Sequence, residues 1–179
     1  TVEITRQGGG FGRRLAADFA IEAVHVSKLV KAPVKVIWTR EDDMTGGIYR
    51  PAVRYRFEAA LDQKGTMIGY KLRGVGLNSG NPTREDNFPS GAVDHVLIDS
   101  IEQQSAITTG PWRAPITNFL AYAEQAFLDE VAEAAGKDPI KFRLELLQKA
   151  KKIPVGEVKY DVDRMIAVIQ LAAEKSNWG

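Results

Sequence analysis

The stretch from Phe119 to Leu147 restricts the fold most. Phe119, Tyr122, Ala123, Ala126, Phe127 and Val131 recur at helical spacing. Gly136 suits the left-handed residue that closes such a helix. Asp138-Pro139 then supplies an N-cap and a first-turn proline for a second helix carrying Phe142, Leu146 and Leu147. The spacing predicts helices over about 117–135 and 139–148, with Glu124, Asp129, Glu130 and Glu133 on the polar face. Val162, Met165, Ile166 and Ile169 predict a last helix over about 162–175, after a polar link.

The first half of the chain reads differently. Tyr55, Phe57, Ala59 and Leu61 alternate with Arg54, Arg56 and Glu58, the pattern of a half-buried strand. Asp62-Gln63-Lys64-Gly65 is a turn, and Met67 to Leu72 resumes the strand, so 53–61 and 66–75 form a hairpin. Val34-Lys35-Val36-Ile37-Trp38 is a β-branched run that predicts another strand, and Ser105 to Thr108 a fourth. Between them, 78–92 collects Gly, Asn, Pro and Ser and reads as a long loop. Leu15, Phe19, Ala23, Val26 and Val30 predict a helix over about 14–30, stopped by Pro33, with His25 exposed off its stripe. The expected class is α+β, an antiparallel sheet with flanking helices. Residues 1–179 form a single domain or an excised piece of a larger one, with a helical C-terminal part at 116–179.

The chain's 179 residues suffice to bury a core. A formal net charge of +1 provides no field to gather nucleic acid or an acidic membrane. With no cysteine, this segment cannot itself hold a disulfide or a Cys-ligated cluster. No apolar run approaches the ~20 residues of a membrane span.

Chemistry concentrates at Gly8-Gly9-Gly10-Phe11-Gly12-Arg13-Arg14, ahead of the first helix. Glycines bring backbone N–H groups close to a ligand, and a helix start adds unpaired donors and a positive dipole end. With two arginines this is an anion-binding corner. Phe11 in its middle suits a ligand with a flat or apolar head. Neither common phosphate motif fits: Arg13 stands where a dinucleotide fingerprint needs its third Gly, and no Gly-Lys-Ser/Thr follows. A plain glycine-rich turn with solvated arginines remains the alternative. Farther on, Gly110-Pro111-Trp112-Arg113-Ala114-Pro115 holds Arg113 on stiff backbone, suited to an anion contact or simply to leading into the next helix. Thr39-Arg40-Glu41-Asp42-Asp43-Met44 is acidic, but adjacent carboxylates cannot converge on one ion, so no metal site is expected.

Taken in order, GGGFGRR, WTREDDM, YRP, the hairpin, GPWRAP and AEQAFLDEVAEAAGKDPIKFRLELL resemble the molybdopterin-binding large subunit of the molybdenum hydroxylases. That family includes xanthine dehydrogenase and aldehyde oxidase, and the pattern is nearest to the isoquinoline 1-oxidoreductase beta-subunit group. The resemblance implies a molybdopterin cofactor, in bacteria usually the cytosine dinucleotide. It implies aldehyde or N-heterocycle substrates hydroxylated with oxygen from water, and a separate iron–sulfur subunit as electron partner. By match, Gly9, Gly10, Phe11, Gly12 and Arg13 form the first pterin-facing loop, and Arg113 lies on the second.

Leu15 and Pro115 fall at substrate-proximal positions, where purine-oxidising relatives carry Glu and Phe. An apolar Leu15 cannot contact purine heteroatoms, so an apolar aldehyde or N-heteroaromatic is expected. The family's catalytic Glu has no match here, and Glu157 in the polar link stands too early in the chain to replace it. The chain opens at Thr1 without Met, and the expectation is a fragment that is inactive alone and holds no cofactor. The alternatives are a stand-alone nucleotide- or phosphate-binding module and a non-catalytic structural domain. Members near this group are often exported, so the periplasm is an expectation for the full subunit and the cytoplasm stays open.

Overall fold

The computed structural model describes residues 6, 8–114, 117–153 and 157–179. After a 3-10 turn at Arg13–Leu15 come α1 (Asp18–Val30), α2 (Arg40–Gly46), β1 (Val53–Leu61), β2 (Met67–Leu77), β3 (His95–Gln103), α3 (Thr117–Ala134), α4 (Pro139–Ala150) and α5 (Val162–Ser176). The class is α+β, as expected. Val2-Glu3-Ile4-Thr5, a short alternating run ahead of the glycines, lies outside the described residues.

β1 and β2 form the foreseen hairpin, in register Phe57↔Leu72, with a bulge at Ala60/Leu61. Asp62 organises the turn by accepting from Lys64 N at 2.9 Å and Thr66 N at 2.8 Å. The sheet is mixed rather than wholly antiparallel. β3 lies parallel to β2, Gly69↔His95 through Leu77↔Gln103. A parallel partner needs a crossover of about a dozen residues or more, which the 78–94 loop supplies. β3 escaped the sequence reading because Asp99 and Ser100 interrupt its apolar residues and most of the strand is exposed.

Two expected strands are absent. Val34 to Trp38 has no strand partner among the described residues, and β-branched composition does not make a strand without one. Ser105 to Thr108 leads only to a single bridge, Thr109 with Tyr49.

One face of β2 and three helices enclose the core. Met67, Tyr70 and Leu72 pack with Leu120, Leu128 and Val131 of α3, Phe142, Leu146 and Leu147 of α4, and Ile166 of α5. Phe57 of β1 stacks on Phe127 with ring centroids 5.0 Å apart. The buried stripe of α3 is turned from the expected one: Tyr122 is 81% exposed, while Glu124 is buried. The α3–α4 joint follows its sequence signals. Gly136 has φ 65°, and Asp138 accepts from Ile140 N and Lys141 N ahead of Pro139.

α1 behaves otherwise. It buries none of its residues, and neither the expected stripe nor the rest of the helix contributes to the core. The acidic cluster is a helix start: Thr39 and Asp42 form a reciprocal capping box for α2, and Asp43 pairs with Arg40.

Candidate cofactor site

The glycine loop and the Gly110–Ala114 loop, a hundred residues apart in sequence, meet directly. The Arg113 amide donates to the Phe11 carbonyl at 3.1 Å. Gly12 has φ +86°, and a Cβ there would sit against the Pro111 carbonyl, 2.6 Å from its carbon and 2.8 Å from Trp112 N. Only glycine allows this conformation and this approach without strain. Phe11, Arg113 and Ala114 all have positive φ, at 52°, 34° and 45°. Non-glycine residues held there cost of order 1–3 kcal/mol each, so the surrounding contacts must impose the shape.

Phe11 remains half exposed between two cations. The Arg113 guanidinium lies 5.4 Å from its ring centroid and that of Arg14 5.9 Å. Arg14 also donates to the Gly9 carbonyl at 2.9 Å. Among the described residues, the backbone N–H groups of Gly9, Gly10, Phe11 and Gly12 have no acceptor. Successive unpaired amides beside guanidinium groups are the kind of donor set that binds anions, and the exposed Phe11 ring adds an apolar surface next to it. This donor set fits an anionic ligand with a flat head, as molybdopterin has.

The two arginines of the motif play different parts. Arg13 is held bidentately by Asp18, at 2.6 and 2.8 Å. That hydrogen-bonded pair lowers the Asp18 carboxyl pKa and raises that of Arg13. Its charge is therefore largely compensated, leaving Arg14 and Arg113 as the cations on the ring. Leu15 is 78% exposed at the end of the 3-10 turn. Pro115 lies outside the described residues.

The sequence reading assigned no role to Asn78 or Arg50, yet both hold the second loop. Asn78 follows β2 in a left-handed conformation. Its side chain bonds Ser105 O, Ile107 O and Ser105 N, and its carbonyl accepts from Thr109 Oγ1. The segment that failed to become a strand is thus fastened by one amide side chain. Arg50 donates to the Trp112 carbonyl at 2.8 Å and lies 4.7 Å from the Trp112 ring centroid. An open cavity of about 340 Å³ runs alongside, lined by Arg50, Asn78, Thr109, Trp112 and Phe119 among others. A conspicuous asparagine at the start of a long loop, and the quoted YRP motif, were the available signals.

No helix among the described residues is long and apolar enough to cross a membrane.

The chain is similar in sequence to several known proteins. The isoquinoline 1-oxidoreductase subunit beta of Brevundimonas diminuta is 27% identical over 99% of this chain and 23% of its own length. A membrane-bound aldehyde dehydrogenase (pyrroloquinoline-quinone) of Gluconacetobacter polyoxogenes is 34% identical over 96% of this chain and 25% of its own. The aldehyde oxidoreductase molybdenum-binding subunit PaoC of Escherichia coli K12 is 28% identical over 96% and 24%. This chain therefore spans about a quarter of the length of these relatives. The crystal structure of quinoline 2-oxidoreductase from Pseudomonas putida 86 shares the fold, with TM-score 0.70 and 19% identity over 95% of this chain and 24% of that one. The family model described as molybdopterin cofactor-binding domain matches residues 1–98, more than half the chain, including the glycine loop and the hairpin. The chain thus belongs to the molybdopterin cofactor-binding domain family.

Proposed function

We propose that this chain supplies two walls of the cofactor cradle of a molybdenum-dependent oxidoreductase that hydroxylates an aldehyde or N-heteroaromatic with oxygen from water. The observation that carries the reading is the junction of the two loops, Arg113 N on Phe11 O with Gly12 against Pro111. It unites the free amides, the exposed Phe11 ring and Arg113 in one place.

In this reading the amides of Gly9, Gly10, Phe11 and Gly12 bind anionic atoms of molybdopterin. Arg113 neutralises charge, and Phe11 stacks against or wedges the flat part. Arg13, its side chain held by Asp18, stiffens the turn behind them. The bound group would supply Lewis-acid and redox chemistry. Leu15 and Pro115 would face the substrate and favour an apolar one. We assign no proton-transfer base within this chain. The dinucleotide form is proposed to be that of cytosine, and the electron acceptor a separate iron–sulfur subunit. The relatives named for isoquinoline and aldehyde oxidation support this substrate range. The quinone in one relative's name offers no competing reading, because the domain matched over residues 1–98 is described as molybdopterin-binding.

A cradle with Phe11 half open to solvent leaves much of a large ligand hydrated, so this chain alone should hold no cofactor. The test is metal and nucleotide analysis of the full-length subunit and of this chain alone. Stoichiometric molybdenum with cytosine nucleotide in the first, and neither in the second, is the expected result. Full-length protein without molybdenum would overturn the reading. A phosphate-bearing ligand held tightly by the isolated chain would favour the stand-alone module.

A further inference from the structure

We propose that Arg50 is the positioning residue of the second loop, fixing the strained turn that presents Arg113. The inference rests on the reading of Arg113 as a cofactor contact. It concerns a residue that touches the loop and acts through it.

The turn needs such a device. Arg113 and Ala114 occupy left-handed backbone at φ 34° and 45°, a shape that side chains resist unless neighbours impose it. Burial does not impose it here, because Trp112 is 54% exposed. The loop's base is held through the backbone: Tyr49 N donates to Thr108 O, and Gly110 N donates to Tyr49 O, each at 3.0 Å. Its far side is held from α3, where Asn118 N reaches Ala114 O at 3.2 Å and Asn118 Nδ2 reaches Arg113 O at 3.3 Å. Between these anchors the Trp112–Arg113 peptide has two holds, Phe11 O accepting from its N–H at 3.1 Å and Arg50 donating to its carbonyl, and Arg50 supplies the one from a side chain.

Arg50 meets it twice. One guanidinium nitrogen donates to the Trp112 carbonyl at 2.8 Å, and the same plane lies over the indole, 4.7 Å from its centroid. A single planar group thereby fixes both the peptide and the side chain of Trp112. Lysine could offer charge but not both contacts in that geometry. Among the described residues no carboxylate pairs with Arg50, so its contacts go to the loop. Tyr49, its chain neighbour, already forms the backbone bridge to Thr109, so the YRP motif clamps the loop at base and tip together.

The test uses full-length protein carrying Arg50→Met or Arg50→Lys. Two quantities are read: deuterium uptake of the peptide spanning Gly110–Ala114 in cofactor-free protein, and the rate of molybdenum loss from loaded protein. Both variants should speed loop exchange by about tenfold or more, as expected for losing a clamp worth at least ~1.4 kcal/mol of local opening. The β1–β2 hairpin should exchange as before, and molybdenum should leave correspondingly faster. Wild-type behaviour in Arg50→Lys would overturn the proposal, because charge alone would then suffice. So would exchange that rises evenly across the protein, which marks a general structural role, or faster loop exchange with unchanged molybdenum release. Failure of the underlying reading shows separately, as wild-type protein that never holds molybdenum while the loop-exchange difference persists.

Discussion

The residues before β1 and those from β2 onward are built on different terms. From Met67 on, a continuous core joins β2 to three helices. Before Met67 no described residue is buried, although Phe19, Ile21, Val24, Leu29, Val30 and Ile37 are large and apolar. The proposed cradle lies on the seam, taking the glycine loop from the coreless arm and Gly110–Ala114 from the cored part. Its geometry is therefore set less by packing than by three joints: Gly12 on Pro111, Arg113 on Phe11 and Arg50 on Trp112.

The sharpest way to break this contrast is to truncate one leucine in each region. Leu128→Ala removes a fully buried side chain from the core and should cost about 2–5 kcal/mol of unfolding free energy. Leu29, 81% exposed on α1, should change this chain's stability by roughly 0.5 kcal/mol or less when replaced by Ala. Denaturant unfolding of both variants decides it. Comparable losses would mean that α1 is packed after all.

The core also contains a buried titratable group, and among the described residues the arm has none. Glu124 is buried, and its Oε1 accepts from Tyr70 Oη at 2.8 Å. Desolvation pushes its carboxyl up to about 7, and the Tyr70 bond only partly offsets this. The folded state thus favours the protonated acid. Its contribution is full below the usual value of 4.5 and is lost as pH rises through about 7. The loss should reach about 3 kcal/mol. Asp42 and Asp62, whose carboxyls are held low by hydrogen bonds, act in the opposite sense and at lower pH. Glu124→Gln should flatten the stability profile between these two values, and parallel profiles for the two proteins would contradict the assignment.

A smaller effect tests how the core grips the second loop. Asn78→Ala removes three side-chain bonds to the 105–107 backbone and should cost about 1–3 kcal/mol. It should also raise hydrogen exchange at Ser105–Thr109 first. Exchange rising first in α3 or α4 would show that the segment is held by something else.

The same division explains what the sequence disclosed. The hairpin turn at Asp62, the Gly136 close and the Asp138-Pro139 start depend on residues a few positions apart, and local rules found them. Val34–Trp38 has strand composition but no partner strand among the described residues, so propensity misled. Glu124 looked like surface because a carboxylate rarely sits in an apolar stripe, and only Tyr70, on another element, makes its burial tolerable. At the site, the glycines and Arg113 could be picked out by residue type and by family resemblance. Arg50 and Asn78 act across 62 and up to 31 residues, respectively, and no local pattern reports such contacts. The difference between Arg13 and Arg14 depends on Asp18, which lies within reach only once the 3-10 turn forms.

The central claim is that the first loop must lie flat against the second for the cofactor to be held. Molybdenum content per polypeptide in full-length Gly12→Ala, measured beside Gly8→Ala, tests it most directly. A Cβ at Gly12 meets the Pro111 carbonyl and a strained φ, whereas one at Gly8 has nothing within 4 Å. The account predicts molybdenum reduced by about tenfold or more in Gly12→Ala, from a misfit of at least ~1.4 kcal/mol, and wild-type content in Gly8→Ala. Equal molybdenum in the two variants would contradict it.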